Sequence, residues 1–303
     1  MHITQAHFGP SIDINPSDLA EWDTCHRRLA YQQIWRVQVD APDAETVFDS
    51  VIKSCVYRFL LEDALGQPKT DPIEHFQTLW AEAQTELSLR FPPHQCADSF
   101  KRAGVRLMRF LQSRWKLSRL QVARRTDGTP LVQRSMWMQL PCVEAGQGPT
   151  PSMSLSGTIG AVVHVSGGVY GLLEVASVRT PHLESYVRRC DALTGLQLLY
   201  EANASAYRDP PLSQVGFWDF WTGDSDSDIN APLWVPKRSA DDAQEFVHKA
   251  YWLGQDVLTG RFSRCTRLQT NSPCSDCRFS GDCLDQDRTG LRFPNATPVQ
   301  IAA

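Results

Sequence analysis

Three of the nine cysteines, Cys274, Cys277 and Cys283, fall within ten residues as C-x2-C-x5-C. Thiolates at such spacing are ligands for zinc or for iron–sulfur clusters. The surrounding Ser, Pro, Asp and Gly form loops rather than core, so chance clustering is a poor account of the trio. The cysteine count is odd, and the opening MHITQAHFGPSIDINPSD has no basic segment followed by an apolar run. A disulfide framework is therefore disfavoured, and reduced thiols or metal ligands are expected. Cys55, Cys96, Cys142 and Cys190 stand singly among apolar or helical neighbours and read as small buried hydrophobes.

A second chemistry lies between Lys101 and Arg125. Nine of the chain's 30 cationic side chains fall there with no acid among them, although the formal net charge is −4. Arg102, Arg106, Arg109 and Lys116 share one helical stripe, and Phe100, Leu107, Leu111 and Trp115 form another that can face a core. The first stripe suits backbone phosphates; the competing reading is a solvated face paired with acids from elsewhere in the fold. The acidic overall balance, with a pI near 6.1, excludes wholesale coating of a polyanion.

The elements that must carry these residues divide by pattern. Asn15-Pro16-Ser17-Asp18 reads as a helix start leading into LAEWDTCHRRLAYQQIW, and further helices are expected over about 44–65, 72–89 and 96–117. LVQRSMWMQLP, SMSLSGTIGAVVHV and GVYGLLEVASV then read as three strands of one meander, separated by EAGQGPTP and SGG. A helix over about 182–207 follows, then strands in LSQVGFWDFW and PLWVPK and a last helix over 239–258. With 42% apolar residues and no repeat or convincing linker, one composite α/β domain over 1–303 is expected: a helical part at 1–125, a sheet core with its helix at 126–235, and a C-terminal helix with the cysteine tail at 236–303. No run approaches the roughly 20 apolar residues that cross a bilayer, so a cytoplasmic protein without membrane contact is expected. There is no Walker A motif, nucleophile elbow or dinucleotide fingerprint, which excludes motor activity in this chain.

The tail SPCSDCRFSGDC resembles the C-terminal half of the iron–sulfur signature of AddB-type helicase–nuclease subunits and of the CRISPR-associated, RecB-like exonucleases. In that signature one distant N-terminal cysteine joins a terminal C-x2-C-x5-C, and NPSDLAEWDTCHRRLAYQQIW resembles the family's opening helix. The resemblance implies a ligand set of Cys25, Cys274, Cys277 and Cys283 holding a 4Fe-4S cluster that staples the termini across a PD-(D/E)XK, restriction-endonuclease-like core. Zinc takes the same four thiolates, so ligand count leaves both metals open. Cys265 is a spare able to substitute for one ligand.

The middle of the chain resembles the same family. Gly157-Thr158-Ile159-Gly160 is similar to its G-x-I-D strand, and Glu174-Val175-Ala176 to its (D/E)-x-K. Phe48-Asp49-Ser50-Val51-Ile52-Lys53 looks like the helix segment that ends in an active-site histidine. LQLLYEA looks like the helix carrying Gln and Tyr four residues apart, with Leu196 in the Gln slot before Tyr200 and Gln197 displaced by one. By this resemblance the histidine slot is Lys53, the first carboxylate slot Gly160 and the lysine slot Ala176, leaving Glu174 as the remnant. Two carboxylates normally hold the divalent ion that activates water, and one isolated glutamate is a weak anchor for magnesium.

The expectation is thus a nuclease fold without nuclease chemistry, binding DNA or a protein partner in a DNA-processing assembly, with Lys53 paired to Glu174 in the ion's place. One alternative is an active, magnesium- or manganese-dependent DNA exonuclease whose site is rebuilt from Asp219 and Asp191 beside Glu174. Another is a structural or assembly protein that uses the fold as a scaffold.

Overall fold

The protein is described by a computed structural model covering residues 11–140, 152–222, 231–265, 272–274 and 277–294. In chain order its elements are β1 (Ser11–Ile14), α1 (Asp18–Thr24), α2 (His26–Leu29), a π turn at Ala30–Ile34, β2 (Gln38–Val39), α3 (Ala44–Leu65), α4 (Pro72–Glu86), α5 (Ala97–Ser118) and β3 (Gln121–Val122). They continue with β4 (Val132–Gln139), β5 (Ser152–Ser166), β6 (Val169–Val178), α6 (Glu184–Arg189), α7 (Asp191–Tyr207), β7 (Leu212–Trp221), β8 (Leu233–Pro236), α8 (Ala240–Thr259), a second π turn at Gly281–Asp285, and β9 (Leu291–Arg292). The result is an α/β architecture with a mixed sheet flanked by helices. None of the described helices is long and apolar enough to cross a membrane.

The chain forms two compact units, one of residues 1–40, 137–156 and 239–303, the other of residues 41–136 and 157–238. In the first, β1 runs parallel to the start of β5 in the register Ile12↔Met153 and Ile14↔Leu155. Asp13 accepts from the hydroxyls of Ser154 and Ser156 at 2.8 and 2.6 Å. Helix α8 begins at a capping box of Ser239 and Asp242 and ends at Gly260 in the left-handed conformation, which satisfies the orphan groups at both ends. It lies close on β5, for a Cβ at Gly254 would stand 2.5 Å from the Met153 sulfur. The helix expected over LAEWDTCHRRLAYQQIW is broken instead. Cys25 is extended at φ −168° and ψ 113°, dividing α1 from α2.

In the second unit, β5 and β6 are antiparallel, β6 and β7 parallel, and β7 and β8 antiparallel. The parallel pair needs a crossover, which α6 and α7 provide. The single helix expected there is split at Cys190, whose backbone is extended. Helices α3, α4 and α5 bury an aromatic nucleus of Phe48, Phe76, Trp80 and Phe100, with ring centroids 5.2–6.5 Å apart. The Phe100, Leu107, Leu111 and Trp115 stripe of α5 is buried as expected. Cys55 and Cys190 are buried, but Cys96 is exposed. It caps the start of α5, where its neighbours end in solvent, and so corrects the expectation of a buried hydrophobe. Cys142 lies outside the described residues.

Candidate functional site

In the first unit, the break at Cys25 and the second π turn bring cysteines from distant parts of the sequence together. The Cys265 thiol donates to Thr24 O at 3.2 Å and feels Cys25, Cys274 and Cys283; burial foremost, then Cys25, pushes its pKa up to about 11. Burial also raises Cys277 and Cys283, each of which feels Cys25. Cys277 and Cys283 pack against a small apolar nucleus of Tyr31, Val37 and Phe279. Tyr31 stacks on Phe279 at 4.8 Å, and its hydroxyl donates to buried Asp282 at 2.6 Å. That bond ties one π turn to the other across 251 positions of sequence. Strands β2 and β9 add a short antiparallel ladder to the same joint.

The donor chemistry fits a four-thiolate centre. All five thiols, Cys25, Cys265, Cys274, Cys277 and Cys283, are half-buried. Arg28 places positive charge beside Cys277, and Arg264 and Arg27 beside Cys283, which favours thiolates. Among the described residues, no group of three or more His, Cys, Asp or Glu side chains is set to hold a metal ion. The thiols are therefore gathered without being closed into a coordination shell.

Beside them, buried Asp256 accepts from Trp22 Nε1 at 3.1 Å and meets His26 Nδ1 at 3.3 Å and Arg261 at 2.9 Å. An open cavity of about 600 Å³ is lined by His26, Trp252, Asp256, Arg261, Phe262 and Ser263.

The slots that the resemblance assigns lie in the second unit, at a fork between two strands. The β5–β6 ladder runs from Ser166↔Val169 to Ala161↔Leu173. Beyond it, side chains take the place of the missing strand partner. Glu174 Oε1 accepts from the Gly160 backbone N at 2.5 Å, and Oε2 accepts from the Tyr57 hydroxyl at 3.2 Å. That hydroxyl in turn accepts from Val175 N at 3.0 Å. Asp49 Oδ1 accepts from Ser177 N at 2.7 Å, and Glu45 accepts from Arg179. Glu45, Asp49, Lys53 and Tyr57 recur every four residues, so they form one stripe of α3 laid along β6.

Glu174 keeps some exposed surface, but its carboxyl group is enclosed. Burial raises its pKa to about 7, against the opposing pull of the Gly160 N–H, the Lys53 charge and Tyr57. Burial likewise holds the Tyr57 phenol well above its ordinary value.

These contacts correct one expectation. The Lys53 ammonium pairs with Asp49 Oδ2 at 2.6 Å, one turn back along the helix, instead of with Glu174. Asp219 meets His182 instead: its Oδ2 accepts from His182 N and its Oδ1 meets His182 Nδ1, both at 2.7 Å. The His182 ring is sandwiched between Tyr186 and Phe217, at 4.8 and 4.4 Å. Asp191 opens α7. Ala176 lies in register with Asp219 and contributes no polar group. Gly160 has no room for a carboxylate, because a Cβ there would stand 2.3 Å from the Tyr57 oxygen and 2.7 Å from Glu174 Oε1.

The helix positions that the resemblance picks out pack into the fold. Leu196 is buried, and Tyr200 donates to Pro210 O at 2.7 Å. Gln197, 2% exposed, accepts from Arg238 N at 2.7 Å.

Tyr57 and His182 escaped the sequence reading. The four-residue recurrence of polar groups on α3 was a usable signal for Tyr57. No local pattern marked His182, whose partner is 37 residues away.

On α5, Lys101, Arg102, Arg109 and Lys116 are exposed, whereas Arg106 is half-buried and already engaged. None of Lys101, Arg102 and Arg109 is joined to an acid among the described residues.

No family model matches the chain, and no curated protein matches it. Among solved structures, a crystal structure of SSO0001 is similar at a TM-score of 0.40 and 11% identity, over 91% of this chain and 87% of that one.

Proposed function

We propose that this chain is a catalytically silent, PD-(D/E)XK-like protein of the RecB and AddB kind that binds DNA, or a partner engaged on DNA, without cutting it. Its thiol centre holds a 4Fe-4S cluster, with zinc as the alternative, through four thiolates drawn from Cys25, Cys274, Cys277 and Cys283. Such a group staples segments distant in sequence. The observation that carries the reading is that Cys25, Cys265, Cys274, Cys277 and Cys283 lie within electrostatic reach of one another, with arginines beside Cys277 and Cys283.

Silence is supported by the fork. The oxygens of Glu174 and Asp49 already meet backbone N–H groups, Tyr57 and Lys53. The exposed cations of α5 supply phosphate-binding charge, so affinity for DNA should fall steeply with salt.

Anaerobically purified protein, analysed for iron, sulfide and zinc and scanned for a broad absorption at about 400 nm, tests the centre. About one cluster, or one zinc, per chain is expected. A chain free of both would overturn the metal reading. Labelled single-stranded and duplex DNA with magnesium or manganese tests the rest. Retention without cleavage is expected, and cleavage abolished by Glu174→Ala would instead establish the exonuclease.

A further inference from the structure

Four thiols complete either metal centre, yet a fifth stands among them. The segment carrying Cys265 runs beside the segment carrying Cys25, and several contacts hold the two together. Arg27 N donates to Ser263 O at 3.2 Å, Ser263 Oγ meets His26 Nδ1 at 3.4 Å, and the Cys265 thiol donates to Thr24 O at 3.2 Å. Within this frame the Cys265 thiol is held on the carbonyl that immediately precedes Cys25 and feels the Cys25 thiol. The Cys274 thiol donates to the Cys265 carbonyl at 4.0 Å. The cavity described above is lined by His26 and Ser263, the neighbours of the pair on each segment, and both thiols retain exposed surface. A small reagent can therefore reach them.

We propose that Cys25 and Cys265 are a disulfide-forming pair, and that closing it is an oxidised state of the thiol centre in which Cys25 is withheld from metal. The oxidant is a low-molecular-weight disulfide of the glutathione class. The sulfur of Cys25 attacks one sulfur of the reagent, whose S–S bond breaks to release the first small thiol. The sulfur of Cys265 then attacks Cys25 in the mixed disulfide and releases the second. Two protein thiols lose two electrons and two protons, and the reagent gains both. The pairing does not depend on any metal being bound.

The test uses the full metal-free chain, incubated with glutathione disulfide, alkylated without reduction, digested and examined by mass spectrometry. The expected product is one internal crosslink, two hydrogens lighter than the separate peptides, joining those of Cys25 and Cys265. In Cys265→Ser, with its fold checked by circular dichroism, Cys25 is expected to stop at the glutathione adduct. A crosslink from Cys25 to Cys274, Cys277 or Cys283 in the natural chain, or Cys25 left free or glutathionylated there, would overturn the proposal. Metal uptake is measured in parallel. Oxidation is expected to lower it in the natural chain, reversibly with dithiothreitol, and to leave it higher in Cys265→Ser. Absence of uptake in every state, with the crosslink formed, would sink the metal reading and leave the pair standing.

Discussion

The thiol centre and the strand fork are both concentrations of groups capable of chemistry, and they differ in what those groups are already doing. At the fork, Glu174, Tyr57, Asp49 and Lys53 answer one another and the bare N–H groups of Gly160, Val175 and Ser177. Each carboxylate oxygen of Glu174 and Asp49 already has a protein partner. At the thiol centre five half-buried thiols lie within electrostatic reach of one another, with arginines beside Cys277 and Cys283, and thiol hydrogen bonds there go to backbone carbonyls, Thr24 O and Cys265 O. A site kept for an outside ligand leaves its valences open, whereas a site that has become structure closes them on itself, because a buried polar group without a partner costs about 1–3 kcal/mol.

The sharpest break in that contrast would come at Gly160. Gly160→Asp drives a charged side chain into the Tyr57 oxygen and Glu174, and should cost about 4 kcal/mol or more in a denaturant titration, without creating magnesium-dependent cleavage. A stable, cleaving variant would mean that the fork is open after all.

Next in size is the effect of pH. The Glu174 pKa is raised from 4.5 to about 7, so the folded chain holds the proton more tightly than the unfolded one. The associated stability is complete below about pH 4.5 and is lost as pH rises through about 7, by no more than about 3 kcal/mol. The denaturant midpoint should fall between pH 5 and 8, and Glu174→Gln should flatten that fall. An equal slope in the variant would place the titration elsewhere. The smallest effect is expected on the other side of the comparison. Cys277→Ser in metal-free protein should shift stability by less than about 1 kcal/mol, because the half-buried thiol closes no essential contact. A larger loss would show that this sulfur, too, is structural.

Much of the scaffold was legible in the chain. Helix α3 begins and ends where its pattern does, and the β-branched runs at 152–166 and 169–178 become adjacent strands. Period and capping are local properties, carried by residues a few positions apart. Legible too was the terminal C-x2-C-x5-C, whose spacing announces shared chemistry before any fold is known.

The break at Cys25 was not legible, since the sequence around it favours unbroken helix and only the packing of distant segments repays an extended residue there. Nor was the exposure of Cys96, whose neighbours in space differ from those in sequence. The resemblance located Glu174 and Gly160, but it could not say that a tyrosine 117 residues from the glutamate would fill the gap between their strands. Composition and spacing determined which groups this protein has and the elements that carry them. The tertiary structure alone decided which of those groups are used up and which remain available, because satisfaction of a hydrogen bond or a charge depends on distances that only folding sets.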